Sequence, residues 1–331
     1  MNAYWSFTLP ILLPLILAAT CIPIARRLAL SIGLMDNPNA GAHKSHDRPI
    51  PYGGGIAVLY AILTALLLGM AFPRHPHFPA FLGYYFDALQ SQQATLVWLI
   101  AGAMLVFALG LIDDWRGLHP LLRFLVQILA AGLLVYFQPV FRPDLFGSTA
   151  VAFAFAIFWI VALTNAFNFL DNMDGLSAGI GIIALLVLAG LNLHHPSLAV
   201  FCMIIAGSFV GFLFFNFPPA SVFMGDAGGF FLGFVAASLS LWGTSLRLAD
   251  HGSPTSLACL VVLAVPAYDL VSVIIIRLKN GTPPWIGDHN HISHRLVRQG
   301  MSRRTAVLVI YLVTLVSGLV AIGWDNLVIQ S

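Results

Sequence analysis

Ten apolar runs, each near the twenty or so residues that cross a bilayer, constrain this chain more than anything else in it. They cover approximately 7–30, 54–72, 94–112, 120–138, 150–168, 177–193, 198–217, 227–246, 257–277 and 305–328. Only 8% of the 331 residues are charged and 59% are hydrophobic, whereas soluble domains carry roughly 25% charged residues. The expected fold is therefore all-α: a polytopic integral membrane protein of about ten transmembrane helices, forming one membrane domain over 1–331. The loops on one side are about 31–53, 113–119, 169–176, 218–226 and 278–304. No Lys or Arg precedes Arg26, so the first run reads as a retained span rather than a secretory signal. Cys21, Cys202 and Cys259 lie scattered in apolar runs, without the spacing of a zinc site or a disulfide framework.

An even number of spans puts both termini on one side. If the two longest loops, 31–53 and 278–304, are cytoplasmic, that face receives twelve of the Lys and Arg residues and the opposite face receives Arg74, Arg142 and Arg247. The asymmetry obeys the positive-inside rule and sends both termini outward. The thirteen acidic residues are all Asp. With charge so scarce, an Asp at a span boundary is a functional candidate. Asp36, Lys44 and His46, the Asp113–Asp114 pair, the row Asn165–Asp174, Asp226, and His291 with His294 all fall on that cytoplasmic face. They come from five separate connections, so the topology alone gathers them into a candidate cleft.

Each motif suits a particular chemistry. Asn165, Asn168, Asp171 and Asp174 recur at three-residue steps after an apolar run, a spacing that aligns side chains along one side of a helix. Polar groups there need water or a ligand. Adjacent Asp113 and Asp114 repel unless a cation, proton or basic partner neutralises them. A hard divalent cation suits such oxygen ligands, although Arg116 beside a hydrophilic turn is also a sufficient explanation. Gly225-Asp226 stands in a Gly-rich turn, Phe223-Met224-Gly225-Asp226-Ala227-Gly228-Gly229, open to close approach by a diphosphate. Lys44 and His46 precede Pro51-Tyr52-Gly53-Gly54-Gly55, a cationic segment leading to a helix start. His289, His291, His294 and Arg295 crowd the last long loop, where phosphate binding fits better than zinc. Asp269 sits inside the ninth run, placed either to line the cleft or to pair with a neighbouring helix.

Taken in order, these motifs resemble the polyprenyl-phosphate N-acetylhexosamine-1-phosphate transferase family, from Asp36 to Arg304. The resemblance rests on Lys44/His46 with Pro51-x-x-Gly54-Gly55, on Asp113-Asp114, on Asn165-x-x-Asn168-x-x-Asp171-x-x-Asp174-Gly175, on Phe223-Met224-Gly225-Asp226 and on the His-rich last loop. It implies ten spans in a bacterial inner membrane and a cytoplasmic active site. The implied reaction moves a sugar 1-phosphate, GlcNAc-1-phosphate above others, from a UDP-sugar to undecaprenyl or another polyprenyl phosphate. UMP leaves, in the first membrane step of cell-envelope polysaccharide synthesis. Mg²⁺ is the implied cofactor, with Mn²⁺ as a candidate replacement. A homodimer is among the forms the resemblance allows, and nucleic acid is not an expected partner. By the same resemblance Asn168 and Asp226 hold the metal and Asp113 and Asp114 are the catalytic pair. Lys44, His46, Asp171, Asp174, His291, His294 and Arg295 contact substrate. Two positions depart from the family pattern: His43 stands where Arg is usual, and Ser293 stands in the late His-Ile-His-His pattern. The missing run of histidines points to the N-acetylglucosamine branch and away from the phospho-MurNAc-pentapeptide branch.

Two unrelated classes compete. An intramembrane aspartyl protease would use two membrane Asp, but Gly225-Asp226 precedes Tyr268-Asp269, the reverse of the usual order, and the Asn row would serve nothing. A secondary transporter would place charges near the midplane and show inverted repeats, whereas the polar residues here gather at one face.

Overall fold

The computed structural model describes residues 4–36, 49–71, 80–251 and 257–329. It is an all-helical bundle, as its composition requires. The helices are α1 (Tyr4–Ser31), α2 (Gly54–Ala71), α3 (Ala80–Gln90), α4 (Gln93–Arg116), α5 (Pro120–Phe137), α6 (Thr149–Leu170) and α7 (Leu176–Leu191). They continue with α8 (Pro196–Asn216), α9 (Gly225–His251), α10 (Ala258–Val261), α11 (Ala264–Lys279), α12 (Ile292–Arg298) and α13 (Arg303–Ile329). Two short strands, β1 (Met35–Asp36) and β2 (Ile50–Pro51), pair antiparallel.

Every expected span is helical, with three differences. Eight helices among the described residues are long and apolar enough to cross a membrane: α1, α2, α4, α5, α6, α8, α9 and α13. The sixth run yields α7, apolar but only 16 residues long. The ninth run is broken at Val262–Leu263 into α10 and α11. The third difference is α3, which falls in a stretch that reads as a connection. Its 11 residues are too few to span, yet Tyr85 and Leu89 are buried and the Tyr85 hydroxyl donates to the Ala65 carbonyl of α2.

Burial sorts the helices into centre and rim. α9 and α8 are almost wholly enclosed, whereas α1, α5 and α13 turn most of their apolar surface outward. On α5 the exposed Leu121, Leu125 and Leu129 recur every fourth residue, which places one apolar stripe toward lipid. Small residues let the backbones meet in the enclosed layer. Gly207 and Gly211 of α8 lie against the Ile11 and Leu15 carbonyls of α1, and Gly110 of α4 lies against the backbone of Asp226 and Ala227. A methyl group at Gly110 would collide with that backbone, so this glycine sets how closely the end of α4 approaches the start of α9.

Candidate active site

Four of the five connections gathered by the topology contribute walls to one cavity of about 810 Å³ at one end of the bundle; the 113–119 connection does not. Its walls include Asp36, Tyr52, Asn168, Asp171, Asp174, Asp226, Asp288, His291 and His294, together with Arg26, Arg277 and Arg303.

Asp226 stands at the first turn of α9. Gly225 before it has φ 71°, a left-handed conformation that glycine adopts without strain. Asp114, in the last turn of α4, accepts from the Asp226 N–H at 2.8 Å and the Ala227 N–H at 3.3 Å. Its carboxylate therefore caps α9 from another helix, where the helix dipole favours negative charge. A side chain at Gly225 would strike that carboxylate. The Phe223 N–H donates to the Pro51 carbonyl and the Gly54 N–H to the Phe223 carbonyl, each at 3.0 Å. The Gly-Asp turn is thus fixed from both sides.

The Asp226 carboxylate accepts from Asn168 Nδ2 at 2.7 Å. Arg123 of α5 donates to Asp113 Oδ2 at 2.6 Å and lies 4.0 Å from Asp226 Oδ2. The other Asp113 oxygen accepts from the Leu118 N–H at 2.6 Å. Asp113 and Asp114 stand beside Asp226 but are not among the cavity walls. Both belong to the last turn of α4, which runs through Arg116, rather than to a loop starting at 113.

The Asn/Asp row is only partly helical. α6 ends at Leu170 and α7 begins after Gly175, at φ 75°. Asn168, Asp171 and Asp174 still face the cavity because the chain turns there. Asp174 Oδ2 accepts from the Ala220 N–H at 2.9 Å. Burial and the neighbouring Asp226, Asp114, Asp174 and Asp36 push the Asp171 carboxyl well above the usual carboxylate range. Burial and Asp36, its hydrogen-bond partner, likewise raise the Tyr52 phenol. Asn165 donates to Gln127 Oε1 at 2.6 Å and Asn172 to the Phe169 carbonyl at 2.6 Å. Both amides therefore make structural hydrogen bonds.

The last loop folds over the cavity. Arg277, buried, grips Asp288 through Nε at 3.0 Å and Nη2 at 3.1 Å. Partial burial opposes ionisation of Asp288, but the Arg277 bonds and the Asn290 amides outweigh it and hold the carboxyl at about 2. Ser293 donates to Asn172 Oδ1 at 2.7 Å, so the residue that departs from the family pattern ties the loop to the α6–α7 turn. Arg295 points elsewhere: it donates to Ser272 of α11 at 3.1 Å, lies over the Tyr268 ring and is not part of the cavity wall. Lys44 and His46 lie outside the described residues; the flanking Asp36 and Pro49 both line the cavity.

Burial, and then His289, His291, Arg303 and Arg298, lower His294 from the ordinary value to about 4. The unfolded chain, with an imidazole near 6.5, takes up a proton first as pH falls. The stability associated with neutral His294 is therefore complete above pH 6.5 and is lost as pH drops toward 4. The detergent-solubilised protein should lose thermal stability over that window, and His294→Gln should lose less. Equal losses would dismiss this assignment.

Sequence reasoning missed Arg26, Tyr52, Arg123, Arg277, Asp288 and Arg303 as site residues. The signal was present for the arginines, since all four count toward the positive face. Tyr52 stands inside a motif already singled out, and Asp288 directly precedes the His-rich segment of the last loop.

The model of glycosyl transferase family 4 matches residues 96–244. The probable undecaprenyl-phosphate N-acetylglucosaminyl 1-phosphate transferase of Bacillus subtilis is 32% identical over 311 residues, 91% of this chain and 80% of that protein. The chain belongs to glycosyl transferase family 4. Other members are similar over comparable lengths. The decaprenyl-phosphate N-acetylglucosaminephosphotransferase of Mycolicibacterium smegmatis is 33% identical, covering 90% of this chain and 76% of that protein. The undecaprenyl-phosphate alpha-N-acetylglucosaminyl 1-phosphate transferase of Escherichia coli K12 is 28% identical, covering 90% and 77%. The family match spans α4 to α9 and so contains Asp113, Asp114, Asn168, Asp171, Asp174 and Asp226.

The oxygen donors are suited to a hard divalent cation. Mg²⁺ uses one or two carboxylates and keeps the rest of its sphere for water and phosphate oxygens. Burial and the surrounding carboxylates disfavour ionisation of Asp171, a repulsion that a cation relieves. Among the described residues no three His, Cys or Asp side chains form a ready-made metal cage.

Proposed function

We propose that this multi-pass membrane enzyme transfers GlcNAc-1-phosphate from UDP-GlcNAc to undecaprenyl or a related polyprenyl phosphate. The products are UMP and a polyprenyl-diphosphate-linked GlcNAc. The observation that carries the reading is the family match, whose N-acetylglucosaminyl relatives align over nine-tenths of this chain. A polar cavity at one end of a lipid-facing bundle supports it. The membrane is the bacterial inner membrane, the cavity faces the cytoplasm and both termini lie outside, as the twelve-to-three distribution of Lys and Arg argues.

Asp226 and Asn168 would hold Mg²⁺, which when bound spreads the charge of the diphosphate. The lipid phosphate, whose second ionisation lies near pH 6, is already nucleophilic at neutral pH. One of its oxygens attacks the sugar-linked phosphorus, the bond to the bridging oxygen breaks, and the electron pair leaves with UMP. Little covalent work falls to the protein; positioning and electrostatics do most of it. Asp113, with one oxygen on Arg123 and the other on the Leu118 N–H, orients neighbouring groups rather than removing a proton. Asp171 and Asp174 face the donor, and His291, His294 and Lys44 face anionic oxygens.

Purified protein with UDP-GlcNAc, Mg²⁺ and undecaprenyl phosphate should release UMP. UDP-GalNAc and UDP-MurNAc-pentapeptide should react far more slowly. Preference for the pentapeptide donor would move the chain to the other branch, and no release from any donor would remove the reading. The aspartyl-protease and transporter readings predict no UMP.

A further inference from the structure

We infer that Asp269, deep in α11, is a positioning residue that sets the orientation of His291 and decides which imidazole nitrogen faces the cavity. The inference rests on the proposed transfer reaction only for what His291 then touches.

Asp269 is fully buried. One of its oxygens accepts from His291 Nδ1 at 2.7 Å and the other from the Ile292 N–H at 2.7 Å. A carboxylate removed from water is costly unless its oxygens are satisfied, and both bonds here go to consecutive residues of the last loop. The carboxylate therefore fixes the imidazole and the backbone just beyond it together. Two other contacts restrain the same turn: the Phe169 ring meets His291 edge-on at 5.9 Å, and Ser293 donates to Asn172.

The consequence is chemical as well as mechanical. A carboxylate on one ring nitrogen fixes the proton there, so Nδ1 carries N–H toward Asp269. Nε2 lies across the ring, and His291 lines the cavity although it is 4% exposed. Nε2 is thus the nitrogen offered to the cavity: it accepts from a P–O–H or a water when the ring carries one proton, and donates to a phosphate oxygen of the donor or the lipid when it carries two. Among the described residues no carboxylate anchors His294, whose ring lies 6.5 Å away and whose pKa is lowered by burial and the neighbouring cations. The two histidines are therefore held differently, one by an internal carboxylate and one by the walls around it.

A double-mutant cycle tests this. His291→Gln and Asp269→Asn should each lower turnover, Asp269→Asn by about 10–100-fold, as for other groups that orient a ligand through a histidine. If Asp269 acts through His291, the double variant loses no more than His291→Gln alone. Additive losses would mean a merely structural role and overturn the inference. A readout independent of turnover is NMR of protein labelled with ¹⁵N-histidine. Wild type should show a hydrogen-bonded Nδ1–H resonance that disappears in His291→Gln and also in Asp269→Asn; persistence in folded Asp269→Asn overturns it. Should Asp269→Asn fail to fold, wild type against His291→Gln still decides, because absence of that resonance from wild type refutes the anchoring. Lack of UMP release by wild type would sink the proposed reaction while leaving the resonance to judge Asp269.

Discussion

Asp226→Asn should reduce turnover at least about 100-fold and abolish its dependence on Mg²⁺. Groups that only orient a metal ligand cost about 10–100-fold when removed, so a carboxylate facing the ion should cost more. The substitution keeps the shape of the side chain but removes its charge. Asn168 can still meet the new amide across the 2.7 Å contact, and the bonds from the Asp226 and Ala227 backbone to Asp114 are untouched. Stability should therefore change little, and the loss should appear in kcat. A magnesium titration of the variant is the decisive measurement. The same magnesium requirement in variant and wild type would take Asp226 out of the metal site.

Asp114→Ala should damage activity through a different route. Asp114 accepts the Asp226 and Ala227 N–H groups in the first turn of α9 from a separate helix. Loss of a helix cap costs about 0.5–2 kcal/mol, and this cap also fixes the turn that presents Asp226. Small displacements of a reacting group can cost on the order of 10²-fold in rate. Both thermal stability and turnover should fall, with magnesium dependence retained in the residual activity. Asp114→Asn, which keeps one acceptor oxygen, should fall between. If Asp114→Ala unfolds at the same temperature as wild type and keeps its rate, the capping role is excluded.

The two variants separate neighbours that are alike by chain position. Asp113, Asp114 and Asp226 are all acidic residues at helix ends, and spacing offers no means to rank them. The structure divides them. Asp226 faces the cavity, Asp114 spends both oxygens on the backbone beneath it, and Asp113 is held by Arg123 and Leu118. Sequence spacing also suggested one helical row from Asn165 to Asp174, because steps of three suit a helix. The helix stops at Leu170, and Asn165 turns instead to Gln127. Arg295 was grouped with its histidine neighbours, but the first turn of α12 rotates it onto Ser272 and Tyr268 of α11.

The sequence by itself determined the fold class, the family and the end of the bundle at which the chemistry gathers. Hydrocarbon admits few charges, so hydropathy reveals the spans and each remaining Asp or His marks a boundary with meaning. Loop parity then places distant motifs on one face without any knowledge of packing. Tertiary structure decided the rest: the break in the ninth run, the short α3, the arginines that meet the cavity and the work of each carboxylate. Those depend on which side chains lie within about 3 Å of one another, across separations such as the 112 residues between Asp114 and Asp226. Local periodicity carries no information at that range. Asp269 marks the boundary most clearly: its position in an apolar run left it either to line the cleft or to pair with a neighbouring helix, and only the packing of the last loop showed that it holds His291.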